Sequence, residues 1–219
     1  MIMPKPSNFK GFLPFIVFFS GVLYYCYAYL LRIYPSVISQ PLVEHLSLDA
    51  GQYGLLTSFY YFAYAPMQVP VGMMVDKIGV RKSLLFACLV ATLGSFVFAS
   101  ADYFSMVASG RFFVGIGCAF AYVSALKIAT VWLPKRYLAT AAGCTTSGGM
   151  IAAILTNIYF AKALETHGFA FTEFIPVVIG VVLLIVIFMF VVEPNESNEG
   201  EMLPPLSFDE FKTYLKQII

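Results

Sequence analysis

Charge is scarce in this chain. Only 11% of its 219 residues are Asp, Glu, Lys or Arg, and 60% are hydrophobic. Soluble proteins carry about 25% charged residues, and a soluble fold could not hide so much apolar surface from water. A soluble globular domain is therefore excluded. The formal net charge is +1 with no basic stripe, which leaves no electrostatic footprint for nucleic acid. Histidine is rarer still. His45 and His167 both fall in polar links between apolar runs, which argues against an intramembrane Ser-His hydrolase and against a membrane metal site. There is no phosphate-binding P-loop. No catalytic residue, metal or cofactor is expected, and the chain does not read as an enzyme. The four cysteines, Cys26, Cys88, Cys118 and Cys144, lie inside apolar runs and read as reduced side chains rather than a disulfide framework. No A-x-A-like cleavage site follows the first apolar run, so that run is expected to stay as a helix.

What is present is length of apolar chain. A membrane helix needs about 20 mostly apolar residues to cross a hydrocarbon core roughly 30 Å thick. Six stretches satisfy this, at about 13–35, 53–75, 84–101, 105–128, 138–161 and 174–192. The expected fold is an all-α integral membrane protein with six transmembrane helices. Residues 1–12 precede this 13–192 bundle, and residues 193–219 form a polar linker beginning Glu-Pro-Asn-Glu-Ser. Within the linker, Leu206, Phe208, Phe211, Leu215 and Ile218 alternate with Asp209, Glu210, Lys212 and Lys216 at helical spacing. That pattern predicts an amphipathic helix on the membrane surface, with Ser207 and Glu210 as its capping box.

Orientation follows from Lys and Arg in the links. Lys5, Lys10, Lys77, Arg81, Lys82, Lys135, Arg136, Lys212 and Lys216 fall on one side, and Lys162 alone on the other. Both termini are therefore expected in the cytoplasm, in a multi-pass protein of a bacterial inner (plasma) membrane.

The link after the second span reads Gly72-Met-Met-Val-Asp76-Lys77-Ile-Gly79-Val-Arg81-Lys82. This resembles the G-x-x-x-D-[RK]-x-G-x-[RK]-[RK] signature of the major facilitator superfamily, at the cytoplasmic turn where that family carries it. The fourth span opens Arg111-Phe-Phe-Val-Gly115-Ile-Gly117, similar to the family's R-x-x-x-G-x-G pattern, and Trp132 to Arg136 followed by Gly143 resembles its next junction. The resemblance implies the N-terminal six-helix half of a twelve-helix transporter, built from two three-helix repeats (about 13–101 and 105–192). It also implies alternating access, in which two six-helix bundles rock about a midplane site. The motif acid of the family braces the outward-facing state against the other half, a gating role that falls here to Asp76 with Arg81, supported by Gly72, Gly79 and Lys82. Read without the family, Gly72 removes a side chain where the helix nears a neighbour, Gly79 permits a sharp turn, and Asp76 can pair with Lys77, Arg81 and Lys82. The plainer reading, positive-inside anchoring, accounts for the cations but not for the Asp-Gly spacing.

Three cations lie inside spans. Arg111 shares a face with Gly115, Cys118 and Tyr122 and must satisfy its guanidinium on carbonyls or a partner. The resemblance favours a structural or coupling role for Arg111, Gly115 and Gly117 over substrate contact. Arg32 shares a face with Tyr25, Ala28 and Tyr29. It either snorkels to the outer interface or binds an anionic group in the cavity that the first helix lines in this superfamily. Lys127 lies about 160° from Arg111 around the helix at about 100° per residue, and either reaches the cytoplasmic interface or enters a cavity. The second span carries Tyr53, Thr57, Tyr60, Tyr61, Tyr64 and Gln68 on one side, with Pro66 and Pro70 to bend it. Tyr53 reads as an interface anchor; Tyr60, Tyr61, Tyr64 and Gln68 are cavity candidates, with helix packing as the competing reading. Asn157 in the fifth span, on a face with Thr146, either donates to a ligand or bonds a neighbouring helix.

No span holds a central Asp or Glu, so this part of the molecule offers three intramembrane cations and no central carboxylate. The expected function is transport of a small anionic or zwitterionic solute: an organic acid, a phosphate ester, an amino acid or a short peptide. Its expected partners are the lipid bilayer, that solute, and a C-terminal six-helix half or a second copy. The alternative is a non-transporting interaction or sensor module, or an inactive fragment, on the same scaffold.

Overall fold

The computed structural model describes residues 13–191, which are helical almost throughout. The predicted amphipathic helix and its capping box at residues 206–219 lie outside the described residues. Helix α1 spans Leu13–Val37, α2 Ser39–Leu46, α3 Ala50–Ile78, α4 Val80–Ala99, α5 Phe104–Trp132, α6 Leu138–His167 and α7 Phe169–Phe190, with a 3₁₀ turn at Lys135–Tyr137. Among the described residues, five of the six long helices are apolar enough to cross a membrane. The sixth, α3, has the length but not the hydropathy, because it carries the tyrosine and glutamine stripe.

The helices outrun the spans expected from hydropathy. Hydropathy locates the hydrocarbon core, whereas a helix continues into the headgroup layer until a breaker stops it. At about 1.5 Å per residue, the 30 residues of α6 reach about 45 Å. The link expected from Lys162 to Glu173 thus reduces to Gly168, which sits at φ 80 between α6 and α7. This places Glu173 inside α7, where it is buried, rather than in a link. The outer link after α1 is also structured. It forms α2, closed by Ser47 in the left-handed region at φ 52, and then a capping box that starts α3. In that box the Gln52 N–H donates to Asp49 Oδ1 at 2.7 Å, and the Asp49 N–H donates to Gln52 Oε1 at 3.0 Å. Gly79, at φ 90, joins α3 to α4 in one residue, as the motif predicts.

Helix α5 is the centre of the bundle, packed against α4, α3 and α1, while α1 also packs on α6 and α7, and α4 on α7. Small residues let the backbones approach. A side chain at Gly117 would stand 2.5 Å from the Ala87 carbonyl oxygen of α4, and one at Gly115 would strike the Tyr60 carbonyl of α3. Gly72 differs from its expected role, since a side chain there would meet nothing within 4 Å. The four cysteines are free, and Cys144 is exposed on α6.

Candidate functional site

A cavity of about 330 Å³ opens between α1, α3, α5 and α6. Helical spacing builds its wall. Helix α1 contributes Tyr25, Ala28, Tyr29 and Arg32; α3 contributes Tyr60, Tyr64 and Gln68, each one turn from the next. Cys118 and Tyr122 of α5 and Thr146 of α6 complete it. The rings brace one another: Tyr25 and Tyr29 lie 5.0 Å apart, Tyr25 and Tyr122 5.5 Å, and Tyr60 stacks on Tyr64 at 5.5 Å.

Arg32 is the cavity's cation. Its guanidinium carbon lies 5.8 Å from the ring centres of Tyr29 and Tyr60, 5.3 Å from Tyr61 and 5.4 Å from Tyr64. Ring faces carry negative quadrupole density and hold the cation without neutralising it. Its Nε is buried with no hydrogen-bond partner. Among the described residues, the ion pair found joins Asp76 and Lys127, and no carboxylate reaches Arg32. The site is therefore an uncompensated positive charge in an aromatic cup.

Arg111 has a different place. It is 3% exposed, donates from Nη1 to the Leu31 carbonyl at 2.9 Å, and lies 4.9 Å from the Tyr60 ring centre. A buried guanidinium is thus satisfied partly by the backbone of Leu31, the residue before Arg32, and both arginines lie against the Tyr60 ring. Its contacts hold α1 against α5. Tyr24 and Tyr27 do similar work, donating to the Gly117 carbonyl at 2.8 Å and the Pro176 carbonyl at 2.9 Å.

Several sequence candidates stand elsewhere. Lys127 Nζ lies 2.7 Å from Asp76 Oδ1, at the same end of the bundle as the motif turn and outside the cavity wall. Asn157 is exposed and donates to its own helix at the Ala153 carbonyl, 2.9 Å away. Tyr61 faces Arg32 but is 48% exposed and does not line the cavity. Asp76 pairs with Lys127 rather than with the motif's own cations. Arg81 instead donates to the Phe188 carbonyl of α7 at 2.9 Å and lies against the Phe188 ring, while Lys82 is exposed. Tyr122, Cys118 and Thr146 were not expected in the wall. The first two share the face of Arg111, so the helical periodicity carried that signal.

The described residues thus form a bundle of long apolar helices around a cationic, tyrosine-lined cavity. The chain belongs to the Major Facilitator Superfamily, whose model matches residues 15–217. It is 31% identical over 134 residues to a probable sulfoacetate transporter of Cupriavidus necator, a match covering 61% of this chain and 31% of that protein. It is 26% identical to a hexuronate transporter of Bacillus subtilis, across 95% of this chain and 50% of that protein. A probable galactarate/D-glucarate transporter of Escherichia coli is 24% identical, across 81% of this chain and 40% of its own length. The chain thus spans between 31% and 50% of the length of these relatives. The fold is similar to the crystal structure of a bacterial homolog of the human lysosomal transporter Spinster, in an inward-facing and unoccupied conformation. The TM-score is 0.74 at 19% identity, over 99% of this chain and 50% of that one.

Proposed function

We propose that this chain forms the N-terminal six-helix half of a secondary transporter for small organic anions, working by alternating access. The observation that carries the reading is Arg32, a cation held in a solute-sized cavity with no carboxylate on it among the described residues. A planar guanidinium suits bidentate binding of a carboxylate or sulfonate. The three relatives are named for sulfoacetate, hexuronate and galactarate/D-glucarate transport, and each of those solutes is anionic. The proposed partner is a second six-helix bundle. Along its apolar stretch α6 is only 17% buried, against 61% for α1, and it borders the cavity at Thr146, so its open face suits such a partner.

The purified chain in lipid nanodiscs should melt several degrees higher with glucuronate at about 100 times its dissociation constant, because a ligand that binds only the folded state adds about 2.7 kcal/mol. Glucose, of similar size but neutral, should leave the melting point unchanged. Equal shifts from both would remove the anion reading.

Orientation has its own test. With the four native cysteines replaced, a cysteine at His45 in intact cells should react with a membrane-impermeant thiol reagent, and cysteines at Lys5 and Asn198 should not. Labelling at Lys5 and Asn198 would invert the proposed topology.

A further inference from the structure

Gly149 of α6 lies one turn beyond Thr146 and sits under the edges of two cavity tyrosines. A side chain built there would stand 2.6 Å from Tyr25 Cε1, and 2.9 and 3.0 Å from Tyr29 Cδ2 and Cε2. Ordinary contact begins at 3.4 Å, so the Tyr25 edge would have to retreat by about 0.8 Å. Both rings already have neighbours on the cavity wall. Tyr25 is backed by Tyr122 at 5.5 Å, and Tyr29 stands over the Arg32 guanidinium at 5.8 Å. All four residues line the same cavity, so rings pushed off α6 enter the space where the anion would lie.

We propose that Gly149 is a positioning residue that sets the width of the anion cavity: its missing side chain lets the Tyr25 and Tyr29 rings settle against α6, leaving Arg32 open to anions with an organic body and not only to compact inorganic ones. The proposal rests on the anion reading above. It also assigns a role to one glycine of the Gly148-Gly149 pair and not to the other. A side chain at Gly148 would meet Cys26 Sγ and Val22 Cγ1 at 3.4 Å, ordinary contact distances.

The test compares two probe anions on the full chain in nanodiscs, nitrate as the compact one and glucuronate as the bulky one. Gly149→Ala should weaken glucuronate binding about tenfold, the scale of overpacking a filled site, and change nitrate binding by less than about twofold. Gly148→Ala should leave both affinities unchanged. Alanine is the better helix former, so a loss of binding cannot come from a weaker α6. A second arm separates positioning from a general defect. In a Tyr25→Leu background, which removes the nearer of the two rings that Gly149 accommodates, Gly149→Ala should cost glucuronate less than it does in the wild-type chain, the non-additivity expected of residues in contact. A third arm needs no ligand: fluorotyrosine signals from Tyr25 and Tyr29 should shift in Gly149→Ala and stay in place in Gly148→Ala. Equal loss of both anions, or unchanged glucuronate binding, overturns the proposal. If neither this chain nor a transporter reconstituted from it and a C-terminal half binds either anion, the anion reading itself falls and the width assignment falls with it. The fluorotyrosine arm then reports whether the ring contact survives as a purely structural one.

Discussion

Arg32→Gln is expected to lower anion affinity by about two orders of magnitude while making the ligand-free chain slightly more stable. The two signs come from one circumstance. A hydrogen bond to a charged group contributes about 1.5–3 kcal/mol, and a bidentate guanidinium–oxyanion contact makes two, so removing the cation costs roughly 3 kcal/mol or more of binding. Without its anion, Arg32 is a partly buried charge with an orphaned Nε and no carboxylate on it among the described residues. Replacing a cation so placed relieves a desolvation cost. Arg32→Lys keeps the charge and its contact with the tyrosine rings but loses the planar fork, and should fall between, at about tenfold. The measurement is the melting point of each variant with and without glucuronate. A smaller glucuronate response with a raised baseline in Arg32→Gln is the expected pattern. If Arg32→Gln and Arg32→Lys both respond like wild type, Arg32 anchors the helix at the interface, and the anion reading loses its main support.

Much of the fold could be read from the sequence because a bilayer imposes a coarse rule: long apolar runs become helices. The limits of that rule explain each miss. Helix α2 lies in a link with Glu44 and His45, too polar for a hydropathy average to notice, and is anchored by the single buried residue Leu42. Glu173 falls just before the apolar run of α7, yet the helix begins at Phe169 and carries it into a buried position. Gly72 has the composition of a packing glycine but faces open space, because sequence marks a small residue without saying which neighbour approaches it.

The site was legible by face and not by depth. Spacing grouped Tyr25, Tyr29 and Arg32 on α1, and Tyr60, Tyr64 and Gln68 on α3, and the structure brings both sets to one cavity. Yet α1 also carries Tyr24, Tyr27 and Tyr34, and only the packing of neighbours decides that these are buried among helices. Lys127 shows the reach of a long side chain. It lies about 160° from Arg111 by helix periodicity at about 100° per residue, yet both touch α3, at Asp76 and at the Tyr60 ring. A wheel places Cα atoms, whereas a lysine ammonium reaches well beyond its own.

Asp76→Asn and Lys127→Met should move the transporter's conformational balance in opposite directions, although each removes the same ion pair. The pair is short at 2.7 Å, but the Asp76 side chain is 45% exposed, and a pair so exposed contributes about 0–1 kcal/mol to stability. Neither substitution should therefore impair insertion or folding. The acid nevertheless stands near the end of α3, beside an open face at Gly72, where the family's corresponding residue braces the outward-facing state against the other half. Lys127 then competes for Asp76. On the gating role that the family resemblance implies for Asp76, removing the acid would deprive the outward-facing state of its brace, whereas removing the lysine would release the acid to that brace. A bias of about 1.4 kcal/mol changes the population ratio tenfold. A cysteine at Thr57, towards the end of α3 that the proposed topology places outside, reports the balance in a transporter reconstituted from this chain and a C-terminal half. Its reactivity towards an impermeant thiol reagent should fall by up to about tenfold in Asp76→Asn and rise in Lys127→Met. Uptake should slow in both, since the proposed alternating access needs both states in comparable amounts. Shifts in the same direction would make the ion pair a simple brace between α3 and α5. No shift in either variant would remove the gating role from Asp76 altogether.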